Sequence, residues 1–215
     1  MESVLNKLID NQRDQALPLH EIKPFDGFDV MTYRTFIKNF ELIVERNTED
    51  SGRRLEYLLK YTRGDAHEII KNCPLIDPPS HAYRRVKALL ERDFGDLPLL
   101  AAAFSSKAES WPKIASGDRV ALRKFSIFLI NCTNSKINSS DMNSMDGFEF
   151  LHNLASKLPT ALQQAWINKV GDIRDKEERS PKLMDFENFV SRISRNENDP
   201  RITGLGYQQK SSQYK

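Results

Sequence analysis

The chain predicts an all-α fold: two lobes built from about nine short helices, with an extended segment ahead of the first lobe. Three observations carry that expectation. Apolar residues recur at spacings of three and four along most of the length, the period of a helix with one buried face. Glycine is scarce, at nine residues in 215. Ten prolines fall mostly at the ends of the apolar-periodic stretches, where helices tolerate them. Lys and Arg number 32 against 30 Asp and Glu, for a net charge of +2. That balance argues against a strongly basic nucleic-acid binder and against an acidic disordered chain. A hydrophobic fraction of 39% is enough for a core.

The elements follow in order. Residues 1–16 hold an amphipathic stripe of Val4, Leu5, Leu8 and Ile9, expected as an N-terminal helix. Pro18 and Pro24 then favour extended chain, and Phe25-Asp26-Gly27-Phe28-Asp29 reads as a turn with Gly27 at positive φ. Alternation of Leu19, Ile22 and Phe25 suggests that this segment packs along the first lobe with Phe25 as its anchor. Tyr33, Phe36, Ile37, Phe40, Ile43 and Val44 share one helix face, with Asp29 or Thr32 as cap. A second helix covers Ser51 to Tyr61, and a short third carries Ala66, Ile69, Ile70 and Cys73. Ser80 is the expected cap of a fourth, with Tyr83, Val86, Leu90 and Phe94 inward and Gly95 as its stop. Pro98 to Ala108 opens a fifth.

Trp111-Pro112 and the Ser116-Gly117-Asp118 turn mark a lobe boundary, with Lys107 to Gly117 as a hinge. A sixth helix starts near Asp118 with Leu122, Phe125, Leu129 and Cys132 inward, and Asn134 to Ser144 reads as a polar loop. Phe148 to Leu158 gives a seventh helix, Leu162, Trp166 and Val170 an eighth. The run Arg174 to Arg179 reads as a solvated link, and Phe186, Phe189, Val190 and Ile193 form the face of a ninth. The organisation is therefore a helix over 1–16, a first lobe over 17–110, a second over 111–196 and a polar, disordered tail over 197–215.

Residues with catalytic potential do not assemble into a recognisable constellation. His67-Glu68 lacks the second histidine of a zinc protease, and Cys73 with His81 lacks further donors. Asp141 and Asp146 do not have calcium-loop spacing. No phosphate-cradling glycine loop is present, and Arg84, Arg85, Lys87 and Arg92 are divided between faces of one helix. Cys73 and Cys132 read as buried free thiols. No segment approaches the roughly 18 apolar residues of a membrane span. The expectation is a cytoplasmic protein, not an enzyme, with no cofactor, no metal, no membrane and no small-molecule substrate.

Pro24-Phe25-Asp26-Gly27, then Tyr33, Phe36, Phe40-Glu41 and Val44, resembles the start of the Gag capsid region of long-terminal-repeat retrotransposons, most nearly the BEL/Pao type. Arg54-Leu55, Leu58, Tyr61, Gly64, Ala66, Ile70 and Cys73, then Tyr83, Leu89-Leu90 and Phe94-Gly95, extend the likeness. Leu158-Pro159 with Trp166 is similar to a recurring Gag feature, and Gly117 to Leu129 is distantly similar to Gypsy-type Gag and to the neuronal protein Arc. The resemblance implies a capsid-like protein that self-assembles through both lobes into shells or oligomers. Phe25, Tyr33, Phe36, Phe40, Tyr83, Phe125 and Trp166 are then its candidate structural or assembly anchors. With no zinc knuckle and no strongly basic tail, RNA would be held by another segment of the full-length protein. The competing expectation is a domesticated monomeric adaptor that binds peptides or proteins in a hydrophobic groove.

Overall fold

The computed structural model describes residues 22–137, 140–199 and 201. The expected N-terminal helix over 1–16, the start of the extended segment and the tail from 202 lie outside them. The described residues are helical with no strand; a single isolated parallel bridge joins Phe25 to Thr62. No described helix is long and apolar enough to cross a membrane. Two compact units meet at Leu100/Ala101 in the sequence.

The first unit holds α1 (Val30–Phe40), which runs on through a π-helical turn (Glu41–Glu45), then α2 (Ser51–Lys60), α3 (Gly64–Ile70), a 3-10 turn (Cys73–Leu75) and α4 (Pro79–Phe94). The Asp29 carboxylate caps α1 by accepting from Met31 N at 3.0 Å. Asp50 does the same for α2, from Gly52 N at 2.7 Å. Pro78 stands at the N-cap of α4 and Pro79 opens it, so Ser80 lies inside the helix and is not its cap. A proline at the first helical position has no N–H to leave unpaired, which makes a side-chain cap less necessary. Gly95 follows α4 with right-handed backbone, φ −96°, so it is not a left-handed stop.

Phe25 is the keystone of this unit. Its N–H donates to Tyr61 O at 2.9 Å and its carbonyl accepts from Arg63 N at 2.8 Å. Its ring is 2% exposed and meets Tyr33 at 5.4 Å, Phe36 at 5.5 Å and, edge-on, Phe94 at 5.0 Å. One residue thereby links the extended segment to α1, the α2–α3 corner and α4. Ile22 is buried beside it. Two glycines make the approach feasible. Gly27 turns at φ +89°, and Gly64 takes φ +49° where a Cβ would stand 2.7 Å from Asp26 O.

The second unit holds most of α5 (Leu97–Glu109), α6 (Arg119–Lys136), a 3-10 stretch (Ser140–Asp146), α7 (Phe148–Ser156), α8 (Thr160–Glu177) and α9 (Leu183–Glu197). Its core is a second aromatic cluster. Trp111 stacks on Phe128 at 4.7 Å and tilts on Phe125 at 5.5 Å. Phe125 meets Phe186 at 6.4 Å, and Trp166 meets Phe186 edge-on at 4.9 Å. Between α6 and α9 a buried hydroxyl pair, Ser126 and Ser191 at 2.9 Å, is continued by Ser191 Oγ donating to Glu187 at 2.6 Å.

Several local expectations change here. The division into units falls inside α5, ahead of the expected 110/111, because Phe104 packs on Phe128 at 6.2 Å. The expected hinge is fastened: Ile114 N donates to Lys157 O at 2.8 Å, and Lys157 Nζ to Glu109 O at 2.7 Å. The expected Asn/Ser loop is mostly helical. The helix α6 runs to Lys136, and the 3-10 stretch buries Met142 and Met145. Four of the six residues of the expected Arg174–Arg179 link belong to α8, which continues to Glu177 and stops at Glu178 with φ 50°. Arg179 then bridges Glu177 and Asp185 at 2.6 Å each.

Two measurements check this account. Phe25→Ala should lower unfolding free energy by about 3–5 kcal/mol in a urea titration, the cost of a large ring removed from a packed site. Asp146 accepts from Leu183 N at 3.0 Å and pairs with Lys136 at 3.0 Å, tying α6 to the start of α9. Asp146→Ala should therefore cost about 1–3 kcal/mol, since a half-buried backbone N–H loses its acceptor.

Candidate functional site

The seven anchors divide between the two units, and all are buried. Phe25, Tyr33, Phe36, Phe40 and Tyr83 share the core of the first unit; Phe125 and Trp166 belong to the second. Their rings are therefore occupied in holding helices together and are not presented at the surface of either unit.

The richest polar geometry lies along the seam between α1 and α4. Lys87 on α4 reaches Glu45 at 2.8 Å and Glu41 at 3.3 Å, and Glu41 also takes Lys38 at 2.6 Å. The phenol of Tyr83 donates to Glu45, and that of Tyr33 to Glu91 at 3.1 Å. The π-helical turn, closed by Arg46 N on Glu41 O at 3.2 Å, carries both Glu41 and Glu45. Such turns are a widened helix geometry frequent at sites under constraint. The adjoining cleft, about 440 Å³, is lined by Tyr33, Arg34, Lys38, Glu41, Lys87 and Glu91 together with Ile37 and Ala88. It is charged, unlike the hydrophobic groove an adaptor would need.

The electrostatics of the seam favour ion pairing. Partial burial pushes the carboxyls of Glu41 and Glu45 up, but hydrogen bonds and charge from Lys38 and Lys87 at Glu41, and from Lys87 with a hydrogen bond from Tyr83 at Glu45, hold both below the ordinary range. Burial pulls the Lys87 ammonium down, and Glu45 and Glu41 more than restore it. Burial, reinforced by Glu91 and Glu45 respectively, pushes the Tyr33 and Tyr83 phenols up. The phenols stay protonated and the carboxylates ionised, so the seam works as a clasp.

Several side chains with chemical potential are placed structurally. Asp118 caps α6 from Ala121 N at 2.9 Å. His67 Nδ1 stands 3.4 Å from Thr62 Oγ1. Cys73 and Cys132 are free and buried, and burial raises both thiols. Among the described residues, no three His, Cys, Asp or Glu are grouped to hold a metal ion.

What remains at the surface are large apolar side chains: Phe28 and Leu75 in the first unit, and Val120, Ile127, Phe148 and Ile167 in the second. Sequence periodicity did not single out most of them, because they lie off the inward stripe of a helix or in a turn. Phe148 is the exception: it opens the apolar-periodic stretch expected as the seventh helix, yet its ring is exposed and stacks on His152 at 5.4 Å. No family model, curated protein or solved structure matches this chain.

The clasp predicts a pH signature. Depressed carboxyl pKa values add stability above about pH 4.5, lost as pH falls through the folded values; the raised Lys87 adds stability below about pH 10, lost as pH rises through its folded value. Lys87→Met should therefore lower the thermal midpoint most between about pH 5 and 10, and the gap from wild type should close at both ends.

Proposed function

We propose that the chain is a structural protein of the Gag capsid kind, which self-assembles through its two helical units into shells or oligomers in the cytoplasm. The observation that carries this reading is the set of large apolar side chains left exposed on ordered helices and turns of both units, Phe28, Leu75, Val120, Ile127, Phe148 and Ile167. Contiguous exposed apolar surface marks association sites, while side chains scattered singly are ordinary protein surface. Here it is dispersed, which suits many small, reversible contacts and not one deep groove. Near-neutral net charge helps as well, since identical subunits with large charge would repel at close range. In this reading the chain is not an enzyme, and any RNA is held by another segment of the full-length protein.

Negative-stain microscopy across salt and protein concentration tests it. Discrete shells or tubes are expected. A protein that stays monomeric under every condition overturns the reading and favours the adaptor.

A further inference from the structure

Helix α6 lays its inner face into the second unit's core, with Leu122, Phe125, Phe128, Leu129 and Cys132 buried. Its outer face is unusual. At 100° per residue, Val120, Arg123, Lys124, Ile127 and Asn131 occupy an arc of about 100°. Val120 is 66% exposed and Ile127 45%, and the other three are exposed too. The helix carries Arg119, Arg123, Lys124 and Lys136 and no acid. Lys136 is paired with Asp146, but Arg119, Arg123 and Lys124 make no salt bridge among the described residues. Two aliphatic side chains one heptad apart thus flank unpaired cations.

The same unit carries the complement. On α8, whose acids Asp172, Asp175 and Glu177 are matched in number by Lys169, Arg174 and Lys176, the residues Gln164, Asn168, Gly171, Asp172 and Asp175 share an arc of about 100° that holds none of the cations, with Ile167, 59% exposed, at its edge. Asp172 pairs only with Lys176, at 2.9 Å in an exposed i,i+4 arrangement that is weakly held. Gly171 is the second indication. A glycine inside a helix costs about 1 kcal/mol relative to alanine. Yet a Cβ here would meet nothing within 4 Å, so the chain's own packing does not require it. A bare backbone at this half-buried helix position, with nothing beside it, admits close approach by another helix.

We infer that the outer face of α6 docks on the outer face of α8 in a second copy of this chain, cations against Asp172 and Asp175 and aliphatics against Ile167 and the Gly171 backbone. The occupant is a second copy because the acidic, closely approachable surface that matches α6 is supplied by the chain itself. The contact is head-to-tail: each copy offers α6 to one neighbour and α8 to another. Contacts of that type propagate into rings when the rotation closes and into open chains when it does not. This rests on the self-assembly reading and names surfaces that carry it.

The test is sedimentation velocity of the full chain as a function of concentration and salt, with two charge-reversed variants. Arg123→Glu/Lys124→Glu and Asp172→Lys/Asp175→Lys should each weaken self-association about tenfold or more. An equimolar mixture of the two should recover it, because each variant's α6 then faces an oppositely charged α8 only on the other. Recovery on mixing also shows that both variants are folded. Wild-type association should weaken as salt rises. If the wild type assembles but reversal leaves association unchanged, or if mixing fails to restore it, the α6–α8 contact is wrong while self-assembly stands. A wild type that never associates overturns both.

Discussion

The constraint on which this structure depends is that four of its described helices are too short to stand alone. Helix α3 has 7 residues, α7 has 9, α2 has 10 and α1 has 11. Isolated helices below about 12–15 residues are marginal in water. Each must be held by tertiary contacts, and each unit answers with one aromatic cluster. In the first, Phe25 enters from outside the helices and touches Tyr33, Phe36 and Phe94. In the second, Phe125 and Phe186 carry the chain of rings from Trp111 to Trp166. Rings suit this role because a single side chain can reach two or three neighbouring helices, each contact adding to the area buried.

That use of aromatics limits what is left for function. The rings that most resemble the Gag pattern are consumed internally, so the proposed association would draw on aliphatic and charged groups outside the inward stripes. The α1–α4 seam shows the same separation among polar groups. Glu41, Glu45 and Lys87 satisfy one another, with two phenols as donors. A network so closed stiffens the first unit but has little charge to offer a partner. Arg119, Arg123 and Lys124 of α6 are in the opposite condition, exposed and without an acid on their own helix.

Inward helix faces were legible because period and burial coincide: Tyr33, Phe36, Ile37 and Phe40 are all buried as the spacing implies. Phe25 was legible for a different reason, an alternating apolar residue among prolines, where no helix competes for it. The failures have physical causes. Ser80 looked like a cap, but Pro79 begins the helix one residue earlier and needs none. Met142 and Met145 were masked by surrounding Asn, Ser and Asp, although their spacing of three is that of the 3-10 turn that buries them. The charged run after Arg174 looked like solvent-exposed linker because exposed helix and exposed loop have the same composition. The candidate surface was least legible of all. A side chain that points outward leaves no periodic mark, and its meaning depends on which charges lack partners in three dimensions.

A net charge of +2 therefore conceals an uneven distribution. Where charges of opposite sign meet inside a unit, they fix helices against one another and cancel at short range. Where they gather on separate outer arcs of one unit, cations on α6 and Asp172 with Asp175 on α8, they cancel less completely at short range. A neutral chain of the first kind is merely soluble. A neutral chain of the second kind is complementary to itself. Its copies can approach without the long-range repulsion that a large net charge would impose, while the local fields still favour one docking orientation over others. In the proposed self-assembly, near-zero net charge and directional association would then be two consequences of one charge pattern.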